Sequence, residues 1–292
     1  MPDSISPAAS TKNKIPGLFN LYRKAFFSQF QRSGANLHKL PDVQISLENI
    51  QINSKNLRAY RKLCGFNAND PRIPATYLHN LAFRLQMALM TDKRWPLQVM
   101  GTVHLSNRIA QYDKLDNGPF NLTCQLDTYT ITAKGCEFVL ISQVFQDGKL
   151  IWQDTSRFMQ FARKTAADKN RKNAQFKQLD AQQNWYFNAA TGRKFARVSG
   201  DANPIHLGLL AARLFGFKKA IAHGMYSKAR CLAALLPQLD GERYELEVRF
   251  KKPVYLPGKV SFEYHKVNTD FNFQLLNNNG EMCLDGFLKP IY

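Results

Sequence analysis

The chain has 292 residues, 45% of them hydrophobic, and its 40 Lys and Arg against 22 Asp and Glu give a formal charge of +18. That length holds one large domain or two of about 100–150 residues, and the composition excludes general disorder. Five scattered cysteines with no CxxC pair exclude a disulfide framework and a zinc knuckle, and the charge favours an anionic partner: nucleic acid, an acidic membrane face, a phosphorylated ligand or an acidic carrier protein.

The N-terminus "MPDSISPAASTKNKIPG" is polar and lacks the apolar core of a signal peptide, and no run of about 18 apolar residues occurs anywhere. The expected setting is a reducing cytoplasm. "GLFNLYRKAFFSQFQRSG" spaces Leu18, Leu21, Phe26, Phe27 and Phe30 for a helix with basic residues between them, to lie on an anionic membrane or, more simply, on its own domain. "DVQISLENIQI" reads as a strand, "SKNLRAYRKLCGF" as a helix with Ser54 as N-cap, and "NANDPRIPATYLHNLAFRLQMALM" as a loop leading into an apolar helix. From Leu97 the period changes to that of strands: "LQVMGTVHLSNRI", "FNLTCQLDTYTIT", "CEFVLISQVFQ" and "KLIWQDTSRFMQFA", separated by turn-like segments.

The charged run "ARKTAADKNRKNAQFK" at 162–177 reads as a linker. After it the order repeats. "RKFARVSGDANPIHLGLLAARLF" is a short helix, a turn and a second short helix, "HGMYSKARCLAALL" is a longer apolar helix, and "RYELEVRFKKPVYLPGKVSFEYHKV", "DFNFQLLNN" and "EMCLDGFLKPIY" are strands. Each half is thus helices followed by antiparallel strands, two copies of one α+β unit. "CGFNANDP" (64–71) precedes the long helix of the first half as "SGDANPIH" precedes that of the second, without a His at the matching place.

Chemistry concentrates in "VSGDANPIH" (198–206). Asn203-Pro204 is a turn signal that brings Asp201 and His206 to one side. A carboxylate beside an imidazole can take and give a proton near neutral pH. The same spacing also suits a plainer arrangement, in which Asp201 caps a helix and His206 packs beneath it.

"FARVSGDANPIHLGLLAA" followed by "GFKKAIAHGM" resembles the MaoC-like, (R)-specific enoyl-CoA hydratase (hydratase 2) family, whose core is Gly-Asp-x-Asn-Pro-hydrophobic-His, with Ala212 also in place. "VRFKKPVYLPGKVSF" (248–262) resembles the family's strand after the long helix, and in the first half "LAFRLQMALMT" and "GTVHLSNRI" resemble the degenerate copy of two-domain members. The resemblance implies a double hot-dog fold, two antiparallel sheets each wrapping a long central helix. It divides the chain into an N-terminal tail and helix at 1–40, a degenerate hot-dog domain at 41–165 and a catalytic one at 166–292. The central helices would begin near His223-Gly224-Met225 and run through Leu85–Met90.

It further implies reversible hydration of a 2-enoyl-CoA or acyl-carrier thioester, with Asp201 and His206 as the catalytic pair around one water. Which is base and which is acid stays open. Asn203 would fix the loop or a substrate-side hydrogen bond. Gly224 would offer its N–H to the thioester oxygen or simply permit close packing. His223 would cap, pack or touch substrate, and Lys218, Lys219, Lys251 and Lys252 would meet the phosphates of CoA or a carrier arm, or only solvate the surface. His38, His79, His104 and His265 stand alone as structural or surface residues. No metal, flavin or nicotinamide site is expected, nor a dedicated nucleic-acid domain, since no RNP-like, Cys/His-finger or phosphate-loop pattern accompanies the charge. The expected partners are acyl-CoA or acyl carrier protein, with peripheral membrane contact an option and the chain a monomer or homodimer. A non-catalytic acyl-thioester binder and a thioesterase are the rival readings.

Overall fold

A computed structural model describes residues 8–12, 15–31, 39–116, 118–162 and 179–292. The strand-periodic segments of the first half become β2 (Val43–Ile50), β3 (Val103–Gln111), β4 (Phe120–Thr132), β5 (Gly135–Gln146) and β6 (Lys149–Phe161), with β1 (Ala8–Lys12) ahead of them. Its helices are α1 (Leu18–Gln31), α2 (Ser54–Cys64) and α3 (Ala75–Met90). The second half contributes β7 (Ala181–Phe187), α4 (Thr191–Ser199), a 3-10 turn at Pro204–His206, α5 (Leu209–Leu214), α6 (Gly224–Leu235) and then β8 (Tyr244–Phe250), β9 (Gly258–Val267), β10 (Asp270–Asn277) and β11 (Met282–Pro290).

All eleven strands join one sheet in the order β1-β2-β4-β5-β6-β3-β8-β11-β10-β9-β7. Every pair is antiparallel except β1 with β2. If the five strands of each half are numbered in chain order, β2 to β6 and β7 to β11 both run 1-3-4-5-2 across the sheet. The halves meet where β3 pairs with β8, from Ser106 opposite Arg249 to Gln111 opposite Tyr244. The duplicated order expected from the sequence is therefore present as duplicated topology.

Alternation explains the exposed and buried faces of this sheet. Along β5 residues Phe138, Leu140, Ser142 and Val144 point inward, and the residues between them are half-buried. The inward face meets α3, which buries Ala75, Leu78, Ala82, Leu85 and Leu89 against the strands of the first half. Each such leucine contributes roughly 2 kcal/mol by leaving water. In the second half α6 buries Ala229, Leu232 and Leu235 and also touches α3, so one continuous core runs through both halves. Among the described residues no helix is long and apolar enough to cross a membrane.

Two local readings are corrected, and two strands are added. The N-cap of α2 is Asn53, whose side chain accepts from the N–H of Asn56, one residue before Ser54. On α1 the inward stripe is Leu21, Ala25 and Ser28, with Leu18 and Tyr22 half-buried beside it, whereas Phe26 and Phe27 face outward, each 54% exposed. The cause is the 3.6-residue period, which puts 18, 21, 22, 25 and 28 on one face and 19, 26 and 27 on another. Strands β1 and β7 lie at the two ends of the sheet and were not read from the sequence, because the polar "AASTK" and "AQQNWYF" carry no strong apolar alternation. The charged run at 162–177 lies, apart from Ala162, outside the described residues, as does His38.

Candidate active site

Helix α4 ends at Gly200, which takes the left-handed conformation (φ 84°) and returns its N–H to the carbonyl of Ala196. The chain then turns sharply. Asn203 caps the 3-10 turn with its side chain on the N–H of Ile205 at 3.4 Å, and its own N–H bonds Asp201 Oδ1 at 3.2 Å. Asn203 is thus bonded within the loop on both sides. The turn delivers Asp201 and His206 to the same cavity, of about 330 Å³, which Asn203, His223 and Gly224 also line.

The hydrogen bonds fix which atoms are free. His206 Nδ1 lies 2.8 Å from the carbonyl oxygen of Ile221, which can only accept, so Nδ1 carries the proton and Nε2 keeps its lone pair. His223 Nε2 lies 2.8 Å from the backbone oxygen of Asp201 and is a donor for the same reason. The two rings stack with centroids 3.7 Å apart. Burial holds both imidazoles below their ordinary value, His223 to about 3, so both are neutral near pH 7.

Burial pushes the Asp201 carboxyl up, but the neighbouring His223 and His206 rings and the bonds from Asn203 N–H and Tyr22 O–H outweigh it and leave the group below the usual carboxylate range. Asp201 is therefore ionised. Its Oδ1 accepts from Asn203 N–H and, at 3.1 Å, from Tyr22 O–H, and its Oδ2 lies 3.8 Å from His223 Nε2. Ligating atoms of Asp201, His206 and His223 all fall within 4.8 Å of one another, a spacing that would also suit a metal ion. A water between Asp201 Oδ2 and His206 Nε2 would find two acceptors, with the His223 Nε2–H, 3.8 Å from Oδ2, already donating to the Asp201 carbonyl.

Gly224 opens α6, so its N–H is among those without an intrahelical acceptor and sits at the positive end of the helix. A side chain there would fall 2.7 Å from the ring of Phe250, so close packing also requires glycine. Both expected roles of Gly224 are compatible with its position.

The lysines divide into two pairs. Lys251 and Lys252 line the cavity, with Lys252 Nζ 2.5 Å from Glu281 Oε1 and Lys251 Nζ 3.7 Å from Asp285 Oδ1. Lys218 and Lys219 are exposed, and only their neighbour Phe217 reaches the lining.

Sequence reasoning missed three residues of this cavity. Tyr22 comes from α1, and His79 and His104 come from α3 and β3. His79 Nδ1 is 2.7 Å from Asp154 Oδ2, in a buried group that also includes Asn107, Ser156 and Lys228. His104 stacks on Phe158 at 4.5 Å and on His79 at 6.1 Å. The first half also supplies apolar lining: Phe83, Met87, Met90, Val99, Met100 and Phe158. His265 pairs with Asp180 away from the cavity. Only the burial pattern of α1 and α3 could have pointed to Tyr22 and His79, because their partners lie far along the chain.

Comparison with known proteins places this chain among relatives. Residues 169–280 match the family model described as MaoC like domain. The 3-hydroxyacyl-thioester dehydratase X of Mycobacterium tuberculosis is 30% identical over 223 residues, 75% of this chain and 79% of that protein. The crystal structure of the same organism's HtdX superposes with a TM-score of 0.73 at 26% identity, covering 85% of this chain and 100% of that one. Full-length peroxisomal multifunctional enzyme type 2 from Drosophila melanogaster shares the fold, with a TM-score of 0.68 at 20% identity over 95% of this chain and 53% of that one.

Proposed function

The chain belongs to the MaoC-like dehydratase family, and from that premise we propose that it is a hydro-lyase that adds water reversibly across the C2=C3 bond of a 2-enoyl thioester to give the (R)-3-hydroxyacyl thioester. The observation that carries the reading is the pair of open acceptors, Asp201 Oδ2 and His206 Nε2, beside one cavity and the N-terminus of α6.

The water donates one O–H to each acceptor, which aims an oxygen lone pair at C3. As the O–C3 bond forms, His206 Nε2 takes the water's proton and the π electrons move toward the thioester oxygen. The developing enolate is met by the N–H of Gly224 and the positive end of α6. Asp201 stays ionised and steadies the imidazolium, and the proton returns from His206 to C2, leaving the thioester intact. Dehydration is the reverse. The thioester itself supplies the activation, so the step draws on no cofactor.

The acyl chain lies on the wall of Phe83, Met87, Met90 and Phe158, which the first half contributes. We read the two 1-3-4-5-2 units as a double hot-dog, with the first half at 41–165 shaping the acyl end and the second at 166–292 doing the chemistry. CoA or an acyl carrier protein presents the substrate.

Absorbance of a 2-enoyl-CoA mixed with the protein, followed with a thiol reagent present, tests this. Hydration removes the enoyl absorbance and releases no thiol. Release of thiol would make the protein a thioesterase, and unchanged absorbance with bound ligand would make it a binder.

A further inference from the structure

We propose that Tyr22, on the helix that precedes the duplicated units, is a positioning residue that selects which oxygen of Asp201 faces the reacting water. The inference rests on the hydratase reading above and deepens it.

Tyr22 lines the cavity, and its hydroxyl is the centre of a small knot. It donates to Asp201 Oδ1 at 3.1 Å and accepts the N–H of Ala202 at 2.6 Å, with the carbonyl of Gly200 at 3.4 Å. Leu18, one turn earlier on α1, fills the space beside Gly200, where an added Cβ would lie 3.0 Å from both of its methyl carbons. Two side chains of one helix turn thus clamp three consecutive residues of the loop. Among the described residues α1 has no counterpart in the second half, so the site is completed by an element outside the repeat.

The chemical consequence follows from valence. Oδ1 already accepts from the Asn203 N–H, and the Tyr22 O–H adds a second donor. With Oδ1 so occupied, Oδ2 is the oxygen left for water. Burial, and then the adjacent Asp201 charge, keep Tyr22 protonated well beyond the ordinary phenol range, so it acts as a donor at every working pH. A donor to the ionised carboxylate also favours ionisation of Asp201.

The test compares the wild type with Tyr22→Phe and Leu18→Ala in kcat, KM and the pH profile of kcat/KM. Tyr22→Phe should lower kcat about tenfold with KM nearly unchanged, because the carboxylate can rotate away from its productive orientation. It should also move the lower, Asp201 step of the acid limb of kcat/KM upward by about one pH unit, since Asp201 loses a donor to its charged form. Leu18→Ala, which loosens the same helix without touching the hydroxyl, should lower thermal stability and leave the acid limb in place. A Tyr22→Phe protein with wild-type kcat and wild-type acid limb overturns the proposal, as does a Leu18→Ala protein whose limb moves equally. Carbon-13 NMR titration of the Asp201 carboxyl in the wild type and Tyr22→Phe reads the same linkage without turnover. If the wild type proves inert toward enoyl thioesters, the hydratase reading fails, while an upward NMR shift in Tyr22→Phe upholds the contact to Asp201 and an unchanged midpoint overturns it.

Discussion

Two carboxylate–imidazole centres, one fully buried and one with a half-buried carboxylate, border one cavity, and they differ in what is left unbonded. In the first half Asp154 is saturated: His79 meets Oδ2 at 2.7 Å, Asn107 Nδ2 meets it at 2.7 Å, and Ser156 Oγ donates to Oδ1 at 2.7 Å. Lys228 of α6 reaches across the halves to the carbonyl of Asn107 at 2.9 Å and meets that of Leu246, in its own half, at 3.1 Å. In the second half Asp201 keeps Oδ2 and His206 keeps Nε2 for whatever enters the cavity. Burial of a His and an Asp together is therefore no mark of chemistry. A satisfied polar group buried in a core specifies a structure, whereas one with an open position beside a volume can bind.

The loops that lead to the two centres share their start. Helices α2 and α4 both end in a left-handed glycine, Gly65 (φ 79°) and Gly200 (φ 84°). Counted from these glycines, Phe66 stands where Asp201 stands and Pro71 where His206 stands. Phe66 is buried and stacks on Tyr60 with centroids 6.0 Å apart. The first loop is therefore filled with packing where the second carries Asp201 and His206.

The sharpest way to break this contrast is to neutralise each carboxylate in turn. Asp201→Asn and His206→Ala should each lower kcat by on the order of 10²- to 10⁴-fold in a folded protein. The double variant should lose little more than either single one, as expected of groups acting as a unit. Asp154→Asn should instead cost about 3 kcal/mol in stability, measured by urea unfolding, because it leaves His79 and Lys228 buried without their charged partner. A folded Asp154→Asn protein as slow as Asp201→Asn would show that both centres carry the reaction.

The parts of this contrast that could be read from the sequence are the local ones. Gly200, Asp201, Asn203 and His206 lie within seven residues, and their turn chemistry is written in "GDANPIH". The strands β4, β5 and β10 alternate strongly enough to be placed close to their observed bounds. By contrast the edge strand β7 exposes most of its side chains and carries little alternation. Tyr22 meets Asp201 across 179 positions and His79 meets Asp154 across 75, so neither pairing has a local signal. Lys228 carries no local sign of its burial, because only the sheet order that sets β3 beside β8 provides its acceptors.

Titration sharpens the same contrast with a smaller effect. The proposed reaction needs His206 neutral and Asp201 ionised, and both groups lie below their ordinary values in the folded protein. Thus kcat/KM should rise with pH along a limb below about 6.5, the unperturbed imidazole value, and be flat at pH 7 and above. A limb centred above pH 7 would mean that His206 works as the imidazolium. The first-half centre should report through stability instead. Burial lowers the Lys228 ammonium to about 7, although the charges of Asp154 and Glu247 favour its protonated form. An unfolded lysine titrates near 10.4, so between about pH 7 and 10 the unfolded chain binds the extra proton, and this group's contribution to stability rises with pH. The difference in unfolding free energy between the wild type and Lys228→Met should climb over that window, and a flat difference would remove Lys228 as its source.

The smallest expected effect concerns the cations at the rim, where the contrast lies between lysines that line the cavity and lysines that do not. Lys251 and Lys252 reach the lining but stand beside Asp285 and Glu281, which already offset part of their charge, while Lys218 and Lys219 are exposed and outside it. An exposed ammonium near a phosphate is screened within about 8 Å at physiological salt. Replacing Lys251 and Lys252 with Gln should therefore raise KM for an enoyl-CoA only about threefold and leave kcat nearly unchanged, because uniform binding is lost and the reacting atoms are untouched. The same change in Lys218 and Lys219 should do less. A pantetheine thioester, which lacks the nucleotide phosphates, should respond to neither replacement. Equal responses of the CoA and pantetheine substrates would mean that these four lysines do not read phosphate, and the +18 charge would then belong to recognition of an acidic carrier surface.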